Sequence, residues 1–309
     1  MHVDTADALV IGAGPAGLSA ALYLARYNRS VLVFDSGHGR STHHQINHNY
    51  LGFPGGVRPV HLRELGLQQL AEYPKVRVLH HTITRISGDG ETGFTAHTQS
   101  ENHSYGGGVV ILATGVLDHY PHFHGWEPYV GVSMFWCITC DGYESKGKNV
   151  LVVGHTNDSA SEAMQLHSLT DRIQLLTNSH AFDITETFQT RLSNAGIPVI
   201  HDKIHEVEGE NGQVHAVLTS GGLRLECERI FSVQGATPET YLGAELGVAR
   251  NEAGYILINS DQMTNVPGVY AAGDITYLHQ HQVTAAVHEG AQAGSAANYF
   301  LYPPELKDD

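Results

Sequence analysis

Apolar and polar positions along the chain fall into blocks that predict strands and helices in turn. Ala8–Ile11 is a short apolar strand, Gly12-Ala13-Gly14-Pro15-Ala16-Gly17 follows it, and the Ala/Leu-rich Leu18–Arg26 has the spacing of a helix. Ser30–Phe34 is β-branched and continuously apolar, a buried strand that ends at Asp35. Together these segments make a βαβ unit. Residues 37–56 are polar and rich in His and Gly, and predict a loop. Residues 61–73 have helical apolar spacing, short strands alternate with turns over 76–108, and Val109–Ala113 predicts another buried strand before Thr114-Gly115.

A second strand–turn–helix start lies at Asn149–Val153, Gly154–Ala160 and Ser161–Leu169. Strand-like Ile173–Leu176, helix-like Ile184–Asn194 and strand-like Pro198–His201 continue the alternation. Alternating β and α predicts an α/β fold with parallel sheets covered on both faces. Two such starts predict a duplicated architecture of two Rossmann-like, nucleotide-binding-type domains. There is no short-period repeat, and the tail Tyr302–Asp309 is polar.

Composition narrows the possible partners. The 309 residues fit about two domains at roughly 150 residues each. With 41% hydrophobic and 16% charged residues, the chain can bury a large core without a disulfide framework or structural metal. Its 17 Lys+Arg against 32 Asp+Glu give a formal net charge of −15, which excludes nucleic-acid or anionic-lipid binding through the net field. No stretch reaches the ~20 apolar residues of a membrane span. Met1–Asp7 carries acids instead of the basic start of a secretion signal, so a cytoplasmic location is expected. A close Cys pair in that compartment is a metal or redox site, not a structural staple. Two of the three Cys stand as Cys137-Ile138-Thr139-Cys140.

The first glycine motif has the context that gives GxGxxG its meaning: it follows a strand, opens a helix, and an acid closes the next strand. Gly12 suits the tight turn, Gly14 a close approach to a pyrophosphate, and Gly17 helix–strand packing. The helix N-terminus stabilises anionic phosphates. Asp35 can accept a ribose 2′-hydroxyl and disfavours a 2′-phosphate. For the Cys pair, the CxxC spacing lets two thiols at a helix start close a small disulfide and lowers a thiol pKa. An all-cysteine zinc site needs four thiols and is impossible with three. Cys227 is expected to be a buried core residue.

Gly12–Gly17 reads GAGPAG, as in flavoproteins with two dinucleotide-binding domains. Thr264–Asp274 (TNVPGVYAAGD) resembles the C-terminal FAD motif of that group, and Val109–Gly115 (VVILATG) a third, weaker motif. Phe135–Glu144 (FWCITCDGYE) resembles the redox-active site of the low-molecular-weight thioredoxin reductase family, in which the CxxC lies in an inserted second domain. The resemblance implies a discontinuous FAD-binding domain, 1–117 and 237–309, with an inserted disulfide domain, 118–236. It implies FAD contacts from Gly12, Gly14, Pro15, Ala16, Gly17, Asp35, Ser36, Arg40, Asn49, Thr114, Gly115, Gly273, Asp274, His281, Gln282 and Val283. Asp274 would meet the ribityl chain, and Gln282 and Val283 the isoalloxazine. Cys140 would face the flavin, Cys137 would attack a partner disulfide, and Asp141 would act as acid and base. No metal is expected.

The sequence departs from that family at the second turn. Where the family has GGGDSA, Gly154 to Ala160 reads as one residue longer, with Thr156-Asn157 where glycine is needed. The basic cluster that grips the NADPH 2′-phosphate is replaced by Thr177-Asn178-Ser179-His180. NADPH is therefore not expected. The chain resembles the pyridine-nucleotide-independent branch, closest to the diflavin-linked disulfide oxidoreductases of cyanobacteria, which hold a second FAD. Asp35–Arg40 (DSGHGR) with Asn49-Tyr50-Leu51-Gly52 is closer to gliotoxin-type dithiol oxidases, whereas Asp141 is as in the reductases.

The expected enzyme is a flavin-dependent disulfide oxidoreductase passing electrons between FAD and a Cys137–Cys140 disulfide without NADPH. The alternatives are a dithiol oxidase using oxygen and a ferredoxin-dependent thioredoxin reductase, although a −15 chain gains no net steering toward an acidic ferredoxin. The expected partners are a thioredoxin-like protein or a small disulfide or dithiol, an electron donor or acceptor the sequence does not name, and a second copy in a homodimer. Of the 22 His, those at 43, 44, 48, 119, 122, 124, 279, 281 and 288 cluster. Most read as solvated loop residues, while His281, where the reductases have Arg, is placed to tune the flavin or stack on a second ring.

Overall fold

The computed structural model describes residues 4–40, 46–99, 103–121, 123–278 and 281–307. Strand β1 (Asp4–Ile11) runs into helix α1 (Pro15–Arg26), and β2 (Val31–Phe34) pairs parallel with β1. Helix α2 (Pro59–Ala71) leads to β3 (Val76–Leu79), parallel to β2. β4 (Ile83–Asp89) and β5 (Gly93–Thr98) form an antiparallel pair. β6 (Ser104–Leu112) is parallel to β1, its first half antiparallel to β5. After β7 (Val116–Asp118) come β8 (Met134–Phe135), α3 (Ile138–Asp141), β9 (Val150–Val153), α4 (Asn157–Leu166), β10 (Ile173–Leu176), α5 (Glu186–Asn194) and β11 (Val199–Ile200). β12 (Ile204–Glu210), β13 (Gln213–Thr219) and β14 (Arg224–Glu226) make an antiparallel meander, and β15 (Arg229–Ser232) pairs parallel with β9. β16 (Ala236–Pro238), α6 (Tyr241–Glu245), β17 (Val269–Ala271) and α7 (Val283–Phe300) complete the chain, β17 pairing with the second half of β6.

The chain forms two compact units: Met1–Thr42, Val60–Leu117 and Thr237–Asp309 in the first, His43–Pro59 and Asp118–Ala236 in the second. The first holds the sheet β3-β2-β1-β6-β5-β4 with β17 on β6. The second holds the parallel sheet β11-β10-β9-β15-β8 and the meander. Within the second unit, Asn49 meets Cys140 and His48 meets Glu144.

The two α/β starts match down to single hydrogen bonds. The Gly12 N–H donates to the Phe34 carbonyl and the Gly154 N–H to Leu176. The Ala113 N–H donates to Ile11 and the Val233 N–H to Val153. Both helices begin three residues after their strands, so Gly154-His155-Thr156 is as long as Gly12-Ala13-Gly14. This corrects the longer second turn read from the sequence. Asn157 and Asp158 do not break the helix; at its first turn, short polar side chains and an acid are favourable.

Alternation along β1 divides the first core. Ala8 and Val10 face one cluster with α1 and α7, while Leu9 and Ile11 face the other with β4, β5 and α6. The alanine-rich face lets the helices come close. A Cβ on Gly290 of α7 would lie 2.1 Å from the Ala16 carbonyl oxygen, and one on Gly294 would lie 2.7 Å from that of Ala20. A methyl group cannot enter such a contact without separating the helices. Gly290→Ala is expected to cost about 1–3 kcal/mol of stability, measured by denaturant unfolding; an unchanged midpoint would contradict the packing described.

Candidate active site

The first glycine turn is shaped by contacts that admit no side chain. Gly12 has φ +112°, and a Cβ there would lie 2.2 Å from the Ala113 carbonyl oxygen; on Gly17 it would lie 1.9 Å from that of Gly12. Gly14 instead faces open space, with nothing within 4 Å of its Cβ position. Pro15 takes the first position of α1, where a missing N–H costs nothing, and Ala16 and Gly17 are buried. Bare backbone beside open space at a helix N-terminus suits a pyrophosphate, so these residues fit FAD.

Around that turn the first unit gathers residues far apart in sequence. Asp35, buried at the end of β2, accepts the Gly37 N–H at 3.0 Å, and its second carboxylate oxygen pairs with Arg63 of α2. His80 lies 3.6 Å from that oxygen. The Ser36 hydroxyl stays local, 3.4 Å from the His38 carbonyl. Arg40 donates to Asp274 at 2.8 Å across 234 positions. The Thr114 hydroxyl donates to the Glu239 carbonyl at 2.6 Å, and Gly115 turns at φ +74°. Gly273, at φ +83°, donates its N–H to Glu289 at 2.7 Å, and the Thr276 hydroxyl donates to the same oxygen at 2.9 Å. Gln282 and Val283 stand at the N-cap and first turn of α7, and the His281 ring packs 5.5 Å from that of Tyr255. Sequence reasoning missed Arg63 and Glu289. Glu289 had a usable signal, as an acid in an alanine- and glycine-rich helix, and it is 1% exposed.

In the second unit, Cys137 and Cys140 form a disulfide. Cys137 caps the single turn of α3, and its sulfur accepts the Cys140 N–H at 3.1 Å. A backbone N–H donated to sulfur in this way favours a thiolate over a thiol. Asn49 approaches the other sulfur: its amide donates to Cys140 Sγ at 3.8 Å. Trp136, just before the pair, meets Tyr120 edge-on at 5.4 Å, and Tyr120 stacks on Trp126 at 4.8 Å.

Asp141 follows the pair and is 7% exposed. Burial pushes its carboxyl up to about 7; the charge of Glu144 adds to this, and Arg229 opposes it. A carboxyl poised there can give and take protons near neutral pH.

The second turn is built differently from the first. Thr156 occupies the place of Gly14 and Ser159 that of Gly17, the Ser159 hydroxyl donating to the Thr156 carbonyl at 2.6 Å. The segment after β10 is fastened to this turn. The Asp183 N–H donates to the His155 carbonyl at 2.8 Å, and the Thr185 N–H to Asn157 Oδ1 at 2.9 Å. Residues 177–185 contain no Lys or Arg.

Of the clustered histidines, His43, His44, His122 and His279 lie outside the described residues. Among those described, His119 Nδ1 lies 3.1 Å from the Gln234 carbonyl, and no group of three His, Cys, Asp or Glu residues is arranged to hold a metal ion. Cys227 is buried in the core, and burial drives its thiol up to about 12.

Comparison with known proteins bears on the whole chain. The family model described as pyridine nucleotide-disulphide oxidoreductase matches residues 6–290. A thioredoxin reductase of Treponema pallidum is 29% identical over 305 residues, covering 96% of this chain and 97% of the relative. A thioredoxin reductase of Claviceps purpurea is 30% identical over 303 residues, covering 96% and 94%. The crystal structure of thioredoxin reductase from Streptococcus pyogenes superposes with a TM-score of 0.90 at 26% identity, covering 97% of this chain and 99% of that one.

The raised Asp141 carboxyl makes stability depend on pH. Between its ordinary value of 3.8 and about 7 the folded chain binds the extra proton, so stability falls as pH rises through that window. Asp141→Asn removes this loss. Relative to wild type the variant is expected to gain up to about 1.4 kcal/mol per pH unit across the window. Urea unfolding on both sides of it measures the gap, and a gap independent of pH would refute the assignment.

Proposed function

The chain belongs to the pyridine nucleotide-disulphide oxidoreductase family, and from that premise we propose that it is an FAD-dependent disulfide oxidoreductase that works without NADPH. It is a thioredoxin reductase-like enzyme of a family that binds FAD. The observation that carries the finer reading is the second turn. Thr156 and Ser159 put side chains where the first turn has bare glycine, the segment 177–185 is fastened to the turn, and that segment has no Lys or Arg to grip a 2′-phosphate. Within the pyridine-nucleotide-independent branch, the closest reading is the diflavin-linked group.

FAD would be held by Gly12, Gly14, Pro15, Ala16 and Gly17 at the pyrophosphate and by Asp35 at the ribose. Ser36, Arg40, Thr114, Gly115, Gly273, Asp274, His281, Gln282 and Val283 would surround the remainder. When bound, and once reduced by an electron donor other than NADPH, the flavin would supply the two electrons that open the disulfide. Protonated Asp141 gives its proton to a sulfur as the S–S bond breaks, and the Cys140 N–H holds Cys137 as thiolate. Cys137 then attacks one sulfur of the partner disulfide and forms a mixed disulfide with it, while the partner's other sulfur leaves and takes up a proton. Cys140 attacks Cys137, re-forming the internal disulfide and releasing the partner as a dithiol.

The partner in this reading is a thioredoxin-like protein or a small disulfide. In this reading the domains run 1–117 with 237–309 and 118–236, residues 43–59 grouping with the second as a compact unit; the assembly is a homodimer and the location is cytoplasmic. No helix among the described residues is long and apolar enough to cross a membrane.

Anaerobic addition of NADPH to the oxidised holoenzyme is expected to leave the flavin absorbance unchanged; rapid bleaching would overturn NADPH independence. Flavin released on denaturation should number two per chain for the diflavin-linked reading, while one returns weight to a ferredoxin-fed reductase. Oxygen uptake with a dithiol alone would favour an oxidase. Cys140→Ser should trap a mixed disulfide through Cys137 with a thioredoxin, visible as an added mass; its absence would count against the assigned roles.

A further inference from the structure

A short loop holds two side chains against the residues around the disulfide. Asn47 and Val57 exchange both backbone hydrogen bonds, the Gly56 N–H bonds the Phe53 carbonyl, and Tyr50 stacks on Phe53 at 5.8 Å. A loop closed this way has few alternative conformations, so the residues at its start are held in place. Asn49 reaches Cys140. Its neighbour His48 points to a different target, the Glu144 carboxylate in the 3₁₀ turn Tyr143–Ser145 that follows Asp141.

We propose that His48 is a positioning residue for the proton chemistry at the disulfide, acting on Asp141 through Glu144, whose carboxylate lies 3.9 Å from His48 Nδ1. This rests on the reading of Asp141 as the acid above. The charge of Glu144 opposes ionisation of Asp141. Arg229 of β15 faces Asp141 with the opposite sign; it donates to the Glu228 carbonyl and Gln213 and lies over the Phe135 ring, and its charge is fixed over the working range. Glu228 is engaged by Lys148. The remaining member of the set is the imidazole of His48, a group with a charged and a neutral form. Protonated, it cancels the Glu144 charge and Asp141 releases its proton more readily. Neutral, it leaves the Glu144 charge in force and Asp141 keeps its proton to higher pH. By reciprocity, a proton on Asp141 favours the neutral imidazole. The charge state of His48 is thereby tied, through Glu144, to how readily Asp141 gives up its proton.

The test reads Asp141 directly. The carbonyl band of its protonated carboxyl is followed by infrared difference spectroscopy against pH in oxidised holoenzyme, with Asp141→Asn as the blank. Flavin content checks the fold of each variant. Glu144→Gln is expected to lower the Asp141 midpoint by about half a pH unit. His48→Gln, which removes the cancelling charge, is expected to raise it by up to a similar amount. In the Glu144→Gln background, His48→Gln should have no further effect. A midpoint unmoved by His48→Gln, or one moved equally with and without Glu144, overturns the proposal while leaving Asp141 as the acid. No carboxyl titration near neutral pH overturns both. The pH profile of thiol–disulfide exchange should shift in the same direction as the midpoint in each variant.

Discussion

Backbone lying on backbone at the first turn sets the geometry of the first unit. Gly17 sits against the Gly12 carbonyl, so α1 starts directly over the end of β1. The Ala16 carbonyl then receives Gly290 of α7 with equally little room. One residue before Gly290, Glu289 reaches back to the Gly273 N–H and the Thr276 hydroxyl. Gly273 precedes Asp274, which takes Arg40. A series of close approaches and hydrogen bonds thus runs from the first turn to a carboxylate more than two hundred positions away. The small residues of α1 and α7 are needed where the helices meet, because backbone approaches backbone there.

The second α/β start repeats the hydrogen bonds of the first and the length of its turn, but not its surface. Ser159 stands where Gly17 does and donates its hydroxyl to the Thr156 carbonyl, so a side chain fills the place that is bare in the first turn. Asp183 and Thr185 then bond to His155 and Asn157. The frame is kept because the parallel sheet requires it, and the recognition surface has changed because only three or four residues carry it.

Around the disulfide, polarity is arranged to move charge. The Cys140 N–H stabilises one sulfur and the Asn49 amide approaches the other. Asp141 holds its proton near neutral pH because burial penalises its charge and Glu144 adds to the penalty. Arg229 limits the effect, keeping the group in the range where it can both give and accept a proton.

Much of this was legible in the chain itself. Continuous apolar runs such as Val31–Phe34 and Val150–Val153 can only be buried strands in a sheet covered on both faces, and they appear as β2 and β9. The glycine spacing placed the first turn, and the CxxC spacing placed the redox pair, because both depend on neighbours a few positions apart. The meander of residues 204–226 was not visible, since strands such as Ile204–Glu210 keep half their residues in solvent and carry weak apolar periodicity. Nor was the start of α4, where polar Asn157 and Asp158 read as loop but open a helix. The pairings Arg40–Asp274, Arg63–Asp35, Glu289–Gly273 and His48–Glu144 were beyond the sequence. Local pattern decides which segments form and which residues can do chemistry. Which of those residues meet depends on where closed loops and close-packed helices carry them, and that is settled only when the whole chain packs.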